Sequence, residues 1–376
     1  NTKAFIVLKD GKIVLEKYFG TFTQDSAWYW ASAGKTLTAF LVGLAQQEGH
    51  LSITDSTSKY LGTGWTDAPA SKEGLITIRH QLTMTSGLDD GVPDPYCTLN
   101  TCLKYLADAG LRWAYHNAPY TLLDEVMESA TGQALNIYAY QKLTVPTGIT
   151  GAYFKLGYNN VFLSKPRSMA RFGLLILNRG NWDGNSILAD TAYFNQMVNT
   201  SQPLNLSYGY LWWLNGKPSY MAPGLQIVFQ GSIVPNAPAD MISALGKNGQ
   251  VLNVVPSQNL VVVRMGNAPG SGEVPIFFTD TVWQKLNAVM CSSSGVARES
   301  ATDVSVYPNP ADDFIEVKAG EDFLEVAVWG MNGMIFNNKD INQPAVVIPC
   351  ESWPSGLYLI SVETAKGKST RKVVVR

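Results

Sequence analysis

Ser32 and Lys35 stand three residues apart in the run Ser32-Ala33-Gly34-Lys35, at the head of a segment with helical periodicity. Leu37, Phe40, Leu41, Leu44 and Ala45 recur on one helical face behind them, and Gly49 supplies a stop. Residues at that spacing lie one turn apart on the same face, so the serine hydroxyl is expected beside the lysine amine. A serine becomes a nucleophile when a neighbouring base takes its proton, and an amine held among apolar groups sheds its charge to become that base. Backbone N–H groups at a helix start favour developing negative charge. The chemistry this pair supports is acyl transfer. Two plainer readings share the same residues: an N-cap serine with an exposed lysine, and a phosphate loop, because Ala33-Gly34-Lys35-Thr36 imitates the end of G-x-x-x-x-G-K-[ST]. That loop needs a glycine where Tyr29 stands, and the aromatic run Trp28-Tyr29-Trp30 replaces its flexible cradle.

Tyr115-His116-Asn117, ahead of another helical segment, is a second candidate group. A phenol acts as general base where nearby positive charge stabilises its anion, and Lys35 is a source of that charge. Asn117 offers an amide to grip substrate or Lys35; a buried tyrosine and a turn asparagine are the structural alternative. The third group is Gly246-Lys247-Asn248-Gly249, leading into a strand at 250–255. A lysine on an edge strand attracts a substrate carboxylate, and the glycine beside it allows close approach to the backbone. A solvated lysine in a hairpin lead-in is the competing reading. Only three histidines are present, the four cysteines lack zinc-type spacing, and no G-x-S-x-G elbow occurs. No metal or cofactor is therefore expected. Cys97 and Cys102 bracket a turn-rich stretch that a disulfide could close, while pairing of Cys291 with Cys350 stays open.

The elements that must position these groups follow from patterning. With 376 residues, 46% hydrophobic and 15% charged, the chain is globular and large enough for two or three domains. A formal net charge of -2 and no basic stripe exclude a phosphate footprint for nucleic acid. No apolar stretch reaches bilayer-spanning length, and any export signal peptide is expected to have been removed. Strands are expected at 4–8 and 13–18 around an Asp10-Gly11 turn, and at 250–255 and 260–265 around Pro256-Ser257-Gln258-Asn259. Helices are expected near 120–129, 134–142, 168–177 and 191–198, with a closing amphipathic helix over 275–290. Strands from both ends and helices between imply one discontinuous α+β unit, an antiparallel sheet flanked by helices plus a helical lobe, with a cleft between. Past a linker-like stretch, short alternating strands at 315–317, 324–328, 345–348, 358–362 and 372–375 read as a small all-β sandwich.

In the order S-x-x-K, Y-x-N, K-x-G, the three groups resemble the class C-like serine β-lactamase and penicillin-binding protein superfamily, over roughly residues 4–290. Ile78-Arg79-His80-Gln81-Leu82-Thr83-Met84-Thr85-Ser86-Gly87-Leu88, Met169-Ala170-Arg171-Phe172-Gly173 and Tyr208-Gly209-Tyr210-Leu211-Trp212-Trp213 are similar to segments of that group. The resemblance implies a β-lactamase/transpeptidase-like catalytic domain over 1–291. It implies Ser32 as the acylated nucleophile, Lys35 as its proton partner and Tyr115 as general base. Asn117, Lys247, Asn248 and Gly249 would bind substrate, and the backbone N–H groups of Ser32 and Gln250 would form the oxyanion hole. Asn248 stands where the group carries threonine, which argues against a strong hold on a β-lactam carboxylate. Gly34 likewise replaces the usual Ser or Thr.

Val306-Tyr307-Pro308-Asn309-Pro310, Trp329-Gly330-Met331-Asn332-Gly333, Ser355-Gly356-Leu357-Tyr358-Leu359 and Lys372-Val373-Val374-Val375 resemble a type IX secretion sorting domain, over 305–376 after a linker at 292–304. That resemblance implies export through the periplasm of a Gram-negative bacterium, with the secretion machinery as partner. The expected function is a secreted serine hydrolase cleaving a small ester, amide or peptide through an acyl-serine. The alternative is a non-catalytic peptidoglycan- or ligand-binding protein on the same fold.

Overall fold

The computed structural model describes residues 1–268, 272–290, 304–330, 333–365 and 367–376. Contacts divide the chain into two compact units, Asn1–Val289 and Met290–Arg376. The expected linker at 292–304, all but Val304, lies outside the described residues, as do Cys291, Met331 and Asn332.

Strands from both ends of the first unit build one six-stranded antiparallel sheet. Its spatial order is Lys12–Tyr18, Thr2–Lys9, Leu260–Gly266, Gln250–Val255, Ile242–Gly246, Trp213–Leu214. Asp10 and Gly11 both take positive φ, 52° and 73°, the turn whose twist matches a two-residue hairpin. The strands at Gln250–Val255 and Leu260–Gly266 are buried at every position, so both sheet faces are covered. Helix Pro166–Leu177 lies on one face, where a Cβ on Gly173 would come within 2.5 Å of Val261. Helix Ile276–Val289 covers the other, its Trp283 Nε1 donating to Asn253 Oδ1 at 3.0 Å.

The expected helices are present at Asn117–Thr121, Leu123–Thr131, Leu135–Ala139 and Thr191–Met197, in addition to Pro166–Leu177 on the sheet. Three features depart from expectation. Ser32 sits in a 3-10 turn, Ala31–Gly34, and the α-helix proper begins at Lys35 and runs to Gln47. A hairpin of Ala152–Leu156 and Asn159–Ser164 pairs with Trp28–Tyr29 in a three-stranded sheet. Lys247–Gly249 is the turn joining Ile242–Gly246 to Gln250–Val255, two adjacent strands inside the sheet, so Lys247 is not on an edge strand.

The second unit is all-β. Ser305–Tyr307, Phe314–Lys318 and Ala345–Pro349 form one sheet; Gly333–Lys339, Phe323–Gly330, Gly356–Thr364 and Gly367–Val375 form another. Ile315, Val317 and Ile348 of the first pack with Val326, Val328, Ile360, Val362 and Val373 of the second in a shared core, which also buries Cys350. That packing makes it a sandwich with a core of its own.

Candidate active site

Ser32 is held where its own backbone is constrained. Trp30 N–H donates to the Phe162 carbonyl at 2.8 Å and its indole Nε1 to Ser164 Oγ at 2.7 Å, fixing the entry to the turn on the hairpin. Ala31 then takes φ 48°, a left-handed conformation that non-glycine residues seldom adopt, and Ser32 follows at the reversal. On the sheet side, Gly246 closes the arrangement: a Cβ there would lie 2.3 Å from Trp30 O, 2.9 Å from Ala33 N and 3.1 Å from Ser32 N. Only a glycine permits the strand end to run this close to the nucleophile turn.

Lys35 Nζ donates to Ser32 Oγ at 2.9 Å and to Asn117 Oδ1 at 2.7 Å. It is 3% exposed, forms no salt bridge among the described residues, and faces the rings of Tyr120 and Tyr115 at 4.3 Å and 5.1 Å. Burial pushes its amine down to about 7, against the weaker pull of Glu273 and Asp124. Near neutral pH a large fraction of Lys35 is therefore the free amine, which accepts a proton.

Tyr115 comes to the same place from the loop before Asn117–Thr121. Ala114 N–H donates to the Met84 carbonyl at 2.9 Å, and Gln81 Nε2 donates to the Pro119 carbonyl at 2.7 Å, so the segment around Thr83-Met84-Thr85 props this loop. The Tyr115 ring stacks on Trp213 with centroids 5.5 Å apart. Burial raises the phenol above its ordinary range, and a hydrogen-bonding interaction with Ser32 works against that rise. Tyr115 is thus a neutral hydroxyl at rest. His116, between Tyr115 and Asn117, is buried, and burial lowers its imidazole to about 4.

Ser32, Lys35 and Asn117 open onto a cleft of about 540 Å³ that Tyr120, Lys247 and Asn248 also line, whereas Tyr115 is not among its lining residues. The 154–163 hairpin contributes an apolar wall through Phe154, Leu156, Val161 and Leu163. A depression of about 570 Å³ beside Asp10, Asn178 and Trp182 holds no nucleophile. Of the expected substrate-binding residues, Asn117, Lys247 and Asn248 reach the cleft. Asn248 Nδ2 donates to Tyr29 OH at 2.8 Å, and Lys247 Nζ pairs with Glu273 Oε1 at 3.2 Å. Gly249 and Gln250 do not line it. Gly249 backs onto Arg264 and Ala268, and the Gln250 side chain is turned into the sheet, its Nε2 donating to the Gly266 carbonyl at 2.7 Å. The reason is register: Gly246 pairs with Gln250 across the turn, and it is Gly246 that abuts Ser32. Gly246, Tyr96 and Glu273 were not singled out as site residues from sequence; the glycine closest to the nucleophile is the first of Gly246-Lys247-Asn248-Gly249, not the last. Cys97 and Cys102 are joined as a disulfide next to Tyr96.

Residues 3–276 match the beta-lactamase family and residues 305–376 match the secretion system C-terminal sorting domain. An uncharacterised protein of Alkalihalophilus pseudofirmus is 26% identical over 307 residues, covering 71% of this chain and 84% of its own. Among solved structures, a putative 6-aminohexanoate-dimer hydrolase from Bacillus anthracis superposes with a TM-score of 0.58 at 19% identity, over 76% of this chain and 80% of that one. A family VIII carboxylesterase gives 0.57 at 13% identity, over 75% and 91%. At such identities these two likenesses are ones of fold. With residues 3–276 matching one family and 305–376 the other, the chain belongs to the beta-lactamase family and carries a secretion-system C-terminal sorting domain.

Proposed function

We propose that this protein is a secreted serine hydrolase that cleaves small esters or amides through an acyl-Ser32 intermediate. The observation that carries the reading is Lys35: a buried amine, lowered to about 7, 2.9 Å from Ser32 Oγ. As Ser32 Oγ attacks the acyl carbon, Lys35 takes its proton and Asn117 holds the resulting ammonium through Oδ1. The oxyanion is received by the N–H groups of Ser32 and Lys247. Both residues lie at the start of 3-10 turns, where the first amides have no acceptor within the turn, and Gly246 brings the two turns together. The second donor thereby moves from Gln250 to Lys247. As the tetrahedral adduct collapses, the leaving oxygen or nitrogen takes the Tyr115 hydroxyl proton and departs as the neutral alcohol or amine, while Lys35 returns a proton to the phenolate. Tyr115 thus relays a proton, and its high affinity for that proton suits the return step. Water then attacks the acyl-serine by the same route in reverse, releasing the acid and restoring Ser32. The sorting domain supports export through the periplasm of a Gram-negative bacterium to the exterior or cell surface.

Short esters are the favoured substrates. Acylation requires only the nucleophile, its base and two amide donors, whereas β-lactam turnover also needs a hold on the substrate carboxylate. Asn248 lacks the hydroxyl for that hold and its amide is engaged with Tyr29. A hydrolysis panel of p-nitrophenyl acetate and butyrate, nitrocefin and D-Ala-D-Ala peptides tests the ranking, with esters expected first and Ser32→Ala inactive. A fluorophosphonate probe should add covalently at Ser32. A folded protein that takes no label and turns over nothing would be a binding protein on this fold instead.

A further inference from the structure

Glu273 stands inside the cleft in a position the proposed chemistry does not use. Its two oxygens are divided between two partners: Oε1 meets Lys247 Nζ at 3.2 Å, and Oε2 accepts from Tyr96 OH at 2.7 Å. Lys247 sits on the turn that abuts Ser32, and Tyr96 immediately precedes Cys97 of the Cys97–Cys102 disulfide. All three line the cavity that holds Ser32. A cation and a phenol converging on one carboxylate make a carboxylate-recognition site, with the ligand supplied by the chain itself.

Resting on the reading of this cleft as the substrate site, we propose that Glu273 is a built-in carboxylate that occupies the anion subsite at Lys247 and Tyr96, and so selects uncharged acyl substrates over anionic ones. A substrate carboxylate entering here would have to displace Glu273 from Lys247 and would then lie beside a like charge, which disfavours it twice. An uncharged ester meets neither obstacle and gains the apolar wall of Phe154, Leu156, Val161 and Leu163. Selection by an occupied site works by excluding the wrong ligand, and it operates even though the Lys247–Glu273 pair, with side chains 48% and 36% exposed, adds little to stability. Lys155 is a further cation on the cleft wall, so the selection that Glu273 exerts is at the Lys247–Tyr96 subsite.

The test separates binding from turnover. Phenylacetate and phenylacetamide, alike except for charge, are titrated into the full chain by protein-observed NMR, with Ser32→Ala as the common background. Glu273→Gln should shift the phenylacetate-to-phenylacetamide Kd ratio about threefold to tenfold toward the anion, the range expected of one partly exposed charge pair. Adding Lys247→Gln should remove that gain, because the freed cation is what binds the carboxylate. An unchanged ratio in Glu273→Gln, or a gain that survives loss of Lys247, overturns the proposal. If neither p-nitrophenyl butyrate nor any other ester is hydrolysed while the ratio shifts as stated, the acyl-enzyme reading fails and the charge selection stands.

Discussion

Lys35 is the residue on which the chemistry turns, and its environment makes a measurable claim about pH. Burial favours the amine, so the proton-accepting form grows as pH rises through about 7. The kcat/KM for p-nitrophenyl acetate should therefore climb from acid pH and level off above an inflection near 7. A profile flat between pH 5.5 and 8.5 would remove Lys35 as the base. The same shift has a consequence for stability, with its sign fixed by linkage. Between about 7 and the ordinary lysine value of 10.5, the unfolded chain binds a proton at this residue that the folded chain does not. Unfolding free energy therefore rises with pH across that window relative to Lys35→Met, which lacks the titration. Urea denaturation of both proteins at pH 7 and pH 9 reads the difference; a smaller gain for wild type than for Lys35→Met contradicts it. The serine–lysine pair was legible in the sequence because three-residue spacing puts two side chains on one face in a 3-10 turn as in an α-helix, and the Ala31–Gly34 turn runs directly into the helix at Lys35. Whether the amine is desolvated was not, since Tyr115 and Tyr120, which face it, come from 80 residues or more along the chain.

At the scale of elements, the Asp10-Gly11 hairpin was read from the sequence, whereas the Asp183-Gly184 hairpin, with the same left-handed dipeptide, and the internal strand at Ile242–Gly246 were not. Asp10-Gly11 announces its turn by residue type alone. Ile242–Gly246 hides because its buried face carries a polar group: Ser243 Oγ accepts from Asn253 Nδ2 at 2.8 Å, and Asn253 Oδ1 accepts from the Trp283 indole. A satisfied polar network inside a sheet breaks the hydrophobic run that marks a buried strand. Missing that strand placed Lys247 at the start of the next one; the Gln250 amide was expected as oxyanion donor from the family resemblance, and Lys247 is the donor we propose. The hairpin at 152–164 was missed for a related reason, because its ends run Lys155-Leu156-Gly157 and Asn159-Asn160, with Lys155 and Leu156 exposed. The corrected register yields a test. Gly246→Ala places a methyl 2.3 Å from Trp30 O, against backbone that cannot give way cheaply. It should cost about 1–3 kcal/mol in chemical denaturation and remove most esterase activity by displacing the Ser32 turn. A fully active, fully stable Gly246→Ala protein would show that the strand end does not press on the nucleophile.

At the scale of the whole molecule, the chain is two cores with separate tasks. Every residue given a role in chemistry or selection lies between Tyr29 and Glu273, within the unit that ends at Val289. The sheet that braces Ser32 is complete at Gly266, and Ile276–Val289 then covers its remaining face through Trp283. The second unit buries its own apolar set, from Ile315 to Val375, and draws none of that core from the first. A domain with its own core folds and unfolds as its own unit. A protein ending near Ser294 should accordingly keep the full chain's kcat/KM on p-nitrophenyl butyrate and its own cooperative thermal transition. Comparison with the full chain decides the matter: the full chain should show that transition and a second one belonging to the sandwich. Loss of turnover in a truncated protein that still unfolds cooperatively would mean that the sorting domain acts on the catalytic unit as well as addressing it for export.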